Sequence, residues 1–162
     1  ARFHRCILDG GSIGYNGKNP IFFDSVIKNQ NSYGIYNSSY TTDYVSNCTF
    51  YNAGNDFIYA GERALITNCV FDTCSGYAIR TNNSHAILAN NAYNDSSFTS
   101  GRLSINDGLD IEPITLTSSP FVDAASGDLT IDITSPAYGK GFLFENDQTS
   151  YADIGAIQHA NP

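Results

Sequence analysis

Tyr36, Tyr59 and Arg80 recur at near-equal intervals and make the chain's best combination for recognising a sugar. Tyrosine supplies an apolar ring with a polar tip, and arginine adds planar donors that match a carboxylate. In one column they would form an outward stripe suited to sugar rings and occasional uronates. The same column would serve as an aromatic ladder bracing stacked strands. Asp56, Glu62 and Arg63 lie in the same stretch and would complete a groove, or simply be solvated turn residues. Glycoside hydrolysis needs two or three carboxylates converging on one glycosidic oxygen. Asp56 and Glu62 are the only acids near that face, and they sit six residues apart across an expected turn. Elimination from a uronate needs a Lys or Arg base, usually beside Ca²⁺ held by clustered acids. Lys28 and Arg80 have no such cluster in the sequence, so no complete active site is expected within this chain.

The remaining reactive side chains are sparse. Four cysteines, at positions 6, 48, 69 and 74, are too few for a disulfide scaffold at this length, and the close pair Cys69 and Cys74 lacks metal-ligand company. Cys48 and Cys69 fall in one inward column with Cα atoms about 4.8 Å apart, within disulfide range. Reduced, buried packing is the expected state, because cysteine packs as a small hydrophobe. Asp107 and Asp110 are a weak Ca²⁺ candidate without EF-hand spacing, and no cofactor is expected. Sequons at Asn37, Asn47, Asn82 and Asn94 are what chance gives an Asn-rich chain, and His4, His85 and His159 are scattered.

The elements that must position these groups follow from a repeat. With Cys6, Ser25, Cys48, Cys69 and Asn91 in one column, the intervals are 19, 23, 21 and 22. Three residues earlier stand Phe3, Phe22, Val45, Ile66 and Leu88; two later stand Leu8, Ile27, Phe50, Phe71 and Tyr93. Both columns are wholly apolar or aromatic. The position between, held by Ile7, Val26, Thr49, Val70 and Ala92, points outward by the alternation of a strand. One before the anchor come Arg5, Asp24, Asn47, Asn68 and Asn90, and Asn suits a one-residue corner because it tolerates left-handed backbone angles. Ten after it, Ile35, Ile58 and Ile79 align; the next position holds Tyr36, Tyr59 and Arg80. Each repeat reads as three short strands joined by turns, and no segment sustains a helical apolar period. Stacking equivalent strands buries a core that one turn alone cannot.

The segments Ile66-Thr67-Asn68-Cys69-Val70-Phe71 and Val45-Ser46-Asn47-Cys48-Thr49-Phe50 resemble the repeats of the right-handed parallel β-helix family, the pectate-lyase-like superfamily. The resemblance covers roughly residues 1–100 and implies an all-β solenoid of about five coils. Its handedness comes from the resemblance alone. The fold hosts lyases, hydrolases, viral spikes and adhesins, so it does not imply one activity. After Asp110 the columns fail. The run from Ser119-Pro120-Phe121 through Ser135-Pro136 to Asp153-Ile154-Gly155 is similar to the endings of secreted bacterial β-helix proteins. Residues 1–110 are therefore read as coils and 111–162 as an irregular β cap of the same domain, covering the open solenoid end.

Charge divides along the same boundary. The net charge is −8, but residues 1–100 carry seven acids and six bases, whereas residues 101–162 carry nine acids against Arg102 and Lys140. A nucleic-acid partner is not expected of such a surface, and no apolar run is long enough to insert in a membrane. Absence of Met and Trp with 14 Gly, 11 Tyr and 10 Phe suits many tight turns between aromatic strands. The opening Ala1-Arg2-Phe3-His4 reads as mid-strand, so the chain is expected to be the C-terminal part of a larger extracellular, cell-surface or virion protein. The expected role is a rigid scaffold or a module facing a polysaccharide or cell-surface glycan. The alternatives are the end portion of a polysaccharide lyase or glycoside hydrolase, and a phage tail spike or fibre segment, which would be a homotrimer.

Overall fold

The structure, a computed structural model, describes residues 1–81, 85–141 and 153–157. Each coil contributes one strand to each of three parallel sheets. The first sheet stacks β1 (Arg2–His4), β4 (Ile21–Phe23), β7 (Thr42–Ser46), β10 (Arg63–Thr67), β13 (His85–Ala89) and β16 (Asp107–Ile111). The second stacks β2 (Ile7–Asp9), β5 (Val26–Gln30), β8 (Thr49–Ala53), β11 (Val70–Cys74), β14 (Ala92–Asn94) and β17 (Ile114–Leu116). The third stacks β3 (Ile13–Asn16), β6 (Tyr33–Tyr36), β9 (Ile58–Ala60), β12 (Tyr77–Thr81) and β15 (Gly101–Ser104). Five complete turns and the first two strands of a sixth make an all-β parallel solenoid. Among the described residues no helix is long and apolar enough to cross a membrane.

The repeat columns become vertical layers. Phe22, Val45, Ile66 and Leu88 pair in register and are fully buried or nearly so, as are Ile27, Phe50, Phe71 and Tyr93. Aromatic rings in these layers stack along the axis, with centroids 4.5 Å apart for Phe3 and Phe22, 4.9 Å for Phe50 and Phe71 and 5.3 Å for Phe71 and Tyr93. Offset aromatic stacking at this spacing adds to the transfer energy of burying each ring.

Between the first and second strand of each coil the chain turns on one left-handed residue. Arg5, Asp24, Asn47, Asn68 and Asn90 all have φ between 48° and 54°. Glu112, at φ 50°, continues the column by one more turn. The inward positions of that turn are Asp110 and Thr115, which pair with Leu88 and Tyr93, so the apolar columns stop while the backbone path continues to Leu116. Polar substitution of the inner layer, not loss of the coil, ends the pattern in the sequence.

The described part of the tail packs along a flank of the solenoid. Leu116, Phe121, Leu129, Ile131, Ala137 and Ile154 form a second core against Val26, Val70 and Ala92 on the outer face of the second sheet. Those positions point outward as expected, yet Val26 is 6% exposed and Val70 and Ala92 are fully covered. Two strands of the tail, β18 (Phe121–Asp123) and β19 (Asp128–Ile131), pair antiparallel and present this apolar surface. Ser119 donates to Asp72 at 2.6 Å, the Gly155 N–H donates to Asn68 O at 3.0 Å, and the Ala156 N–H donates to Thr49 Oγ1 at 3.0 Å. The described tail is thus a flank, whereas the end of the inner core is covered by Arg102. Its guanidinium lies 4.8 Å from the Tyr93 ring centroid, pairs with Asp95 and Asp110, and donates to Thr115 at 2.7 Å.

Candidate functional site

The third sheet brings the predicted stripe together. Tyr36 pairs in register with Tyr59, and Tyr59 with Arg80. The Tyr36 and Tyr59 rings stack with centroids 5.0 Å apart and planes 29° apart, and the Arg80 guanidinium carbon sits 4.9 Å from the Tyr59 centroid. Two further tyrosines join. Tyr33 lies 4.9 Å from Tyr36 and 6.1 Å from Tyr59, and Arg80 lies 5.9 Å from Tyr77. Tyr33 and Tyr77 were not picked out in the sequence, although both stand eight residues after their anchors, in the four-residue frames Tyr33-x-x-Tyr36 and Tyr77-x-x-Arg80.

Both faces of Tyr59 are occupied within the protein, by Tyr36 below and Arg80 above. A sugar ring therefore meets edges and hydroxyls on this surface rather than an open ring face. The hydroxyls of Tyr33, Tyr36, Tyr59 and Tyr77 have no hydrogen-bond partner among the described residues, and all four side chains are half-buried. They form a row of donors and acceptors held on rigid rings.

Asp56 and Glu62 are not brought together as a pair facing a ligand. Asp56 is 1% exposed; one carboxylate oxygen accepts the Tyr77 N–H at 2.8 Å and the other lies 2.5 Å from Arg80 Nη2. The carboxylate fixes Arg80 over Tyr59 and is covered by doing so. A Cβ at Gly76 would fall 2.2 Å from Asp56 Oδ1, so the approach requires glycine there. Glu62 sits on the corner before β10, in the first sheet's approach, where its carbonyl accepts the His85 N–H at 3.1 Å. Arg63 is exposed at the start of β10. Lys28 lies on the second sheet, 3.4 Å from Asp9, beside a cleft of about 380 Å³ lined also by Tyr51, Asn52 and Gly127 of the tail.

Asp107 and Asp110, three residues apart on β16, take opposite faces of the strand: Asp107 is exposed and pairs with His85 at 3.1 Å, while Asp110 turns inward to Arg102. Among the described residues no three His, Cys, Asp or Glu side chains group to hold a metal. Cys48 and Cys69 are buried and unbridged, and each thiol donates to a carbonyl two residues back at 3.2 Å. Burial pushes the Cys48 thiol well up, which suits packing and opposes nucleophilic use. Of the sequons, Asn37 and Asn94 are buried and Asn47 is in the corner column, whereas Asn82 lies outside the described residues.

Parallel coils, a single left-handed corner residue and inward aromatic layers define a structural solenoid. The family model for the right-handed β-helix region matches residues 2–119, so the chain belongs to that family. No curated protein matches the chain significantly, and no solved structure does so either.

Proposed function

We propose that this chain is a rigid β-helix scaffold displayed outside a cell or on a virion, and that the outer face of its third sheet engages a glycan. The row of unpartnered tyrosine hydroxyls beside the half-exposed Arg80 carries the reading. Tyr36 and Tyr59 repeat there at the strand spacing of about 4.8 Å, and Tyr33 and Tyr77 flank them from coils two apart. Asp56 holds the guanidinium in place before any ligand arrives, which lowers the entropy lost on binding. Arg80 also supplies a cation to the face, so a uronate-containing chain is the preferred class.

Replacing Tyr33, Tyr36, Tyr59 and Tyr77 together by Phe keeps the ladder and removes only the hydroxyls. Affinity electrophoresis through gels of neutral and uronate polysaccharides is expected to show retention of the parent chain and at least a tenfold loss in the variant. The urea midpoints of the two should agree closely. Equal retention of both, or retention of neither, would overturn the reading. Arg80→Ala is a poor test of binding because it strands a buried carboxylate, a change that itself costs about 3–5 kcal/mol.

A further inference from the structure

The outer faces of the three sheets are finished differently. On the second, an apolar column is covered by the tail, and on the third the column is a self-stacked ladder. On the first, an equally apolar column is bare. Ile21, Tyr44, Leu65, Ile87 and Leu109 pair in register from coil to coil. Tyr44, Leu65, Ile87 and Leu109 are 43, 39, 51 and 62% exposed, and Ile111 beside them is 45% exposed. Strand geometry makes this face roughly 19 Å tall and 16 Å wide. The apolar column runs up the middle of this face between largely polar borders, the form an interaction patch takes on a soluble protein.

The border of the face points to the occupant. Along one side, in register, run Thr42, Arg63, His85 and Asp107. Arg63 is exposed and makes no ion pair among the described residues, whereas Asp107, 74% exposed, touches only His85. The charges are thus antisymmetric about His85: a cation one coil below it and an anion one coil above. We infer that this face binds a second copy of the chain through a two-fold axis that runs parallel to the strands at Ile87. That operation reverses the coil order, sets Ile87 against Ile87 and Leu65 against Leu109 of the second copy, and brings Arg63 of each copy to Asp107 of the other. A parallel side-by-side arrangement places Arg63 against the opposite border, where Thr67 and Ala89 offer no charge. The two-fold gives Arg63 a partner and Asp107 a second one beside His85, and it buries the column, as an isologous interface must.

The test is sedimentation velocity of the whole chain from about 1 µM to about 1 mM, a range that captures an interface of this small size. A monomer–dimer equilibrium is expected. Ile87→Glu should leave a monomer at all concentrations with an unchanged far-ultraviolet circular dichroism spectrum. R63E and D107R should each weaken dimerisation at least tenfold, since each sets like charges together, and the double variant R63E/D107R should restore it. Overturning results are a monomer throughout, which would mean the face is covered otherwise, a trimer, association indifferent to Ile87→Glu, or a charge-swapped double variant no better than the singles. None of these readouts involves a glycan, so the outcome is independent of the third sheet.

Discussion

Asp43 points into the solenoid, in an inner column that continues as Ala64, Ala86 and Gly108. It is fully buried and accepts the Gly61 N–H at 2.9 Å and the Asn37 side-chain amide at 2.5 Å. Burial pushes its carboxyl up to about 6, against the pull of those two hydrogen bonds toward the charged form. A carboxyl whose folded value exceeds its unfolded one binds more protons when folded. Its stabilising contribution is therefore complete below about pH 4 and is lost as pH rises through about 6. The shift corresponds to about 3 kcal/mol. Urea unfolding of the parent chain and of Asp43→Asn between pH 4 and pH 7 should diverge by roughly that amount, the variant gaining relative stability as pH rises. The amide removes one acceptor, which is a constant offset and does not alter the slope. Parallel pH profiles would show that Asp43 does not titrate in this window. Asp9, Asp128 and Asp132 are exposed and held below the usual carboxylate range by local hydrogen bonds, and they titrate alike in both chains.

At the scale of the element, the corner column is a hydrogen-bonded ladder. Asn47 donates its amide to Asp24 at 2.6 Å, Asn68 to Asn47 at 2.8 Å and Asn90 to Asn68 at 3.1 Å. His4 meets the Asp24 end at 2.9 Å, and Asn90 also donates to Lys140 O at 2.8 Å, tying the ladder to the tail. Asn68→Ala removes two rungs and forces a Cβ-bearing residue without local bonding into the left-handed region, a loss of about 3 kcal/mol. Asn68→Gly removes the rungs alone and should cost about 1–2 kcal/mol. Equilibrium unfolding that ranks glycine as damaging as alanine would sink the backbone part of this account. This corner was legible in the sequence because one residue type does two jobs there, and the inner layers were legible because burial selects Phe, Ile and Val so narrowly. The second corner, at Gly10, Asn29, Asn52 and Thr73, also has positive φ throughout but escaped notice, since four turns use three residue types. The sixth turn was hidden by Asp110 and Thr115, polar residues that a terminal layer tolerates when Arg102 lies over it. Tyr36, Tyr59 and Arg80 were legible as a stripe. The burial of Asp56 was not, because its cation stands one coil away and only the register discloses it.

For the whole molecule, the decisive feature is that a solenoid has long flanks as well as ends, and here the described part of the acidic tail covers a flank. Of the net −8, −7 belongs to residues 101–162. The apolar underside of the tail is held against near-neutral coils by shape and by backbone hydrogen bonds. Gly155 brings the tail close to the second sheet. Its φ is +101°, and a Cβ there would lie 2.7 Å from Thr49 Oγ1 and 2.8 Å from Val70 Cγ1, both fixed in the second sheet. Gly155→Ala therefore meets a steric and a conformational penalty together, on the order of 2–4 kcal/mol, while touching no coil residue's own fold. The β-helix core does not depend on the contact for its inner layers, so the expected result is release of the tail rather than global unfolding. Limited proteolysis should cut the variant faster within residues 117–162. Hydrogen exchange should rise in the tail while amides of the first and third sheets keep their protection, and a hydrophobic dye should bind the uncovered Val26, Val70 and Ala92. A variant with native proteolysis and exchange would mean that the tail is held mainly by Phe121, Leu129 and Ile131. One that unfolds globally would mean that the flank and the coils form a single cooperative unit.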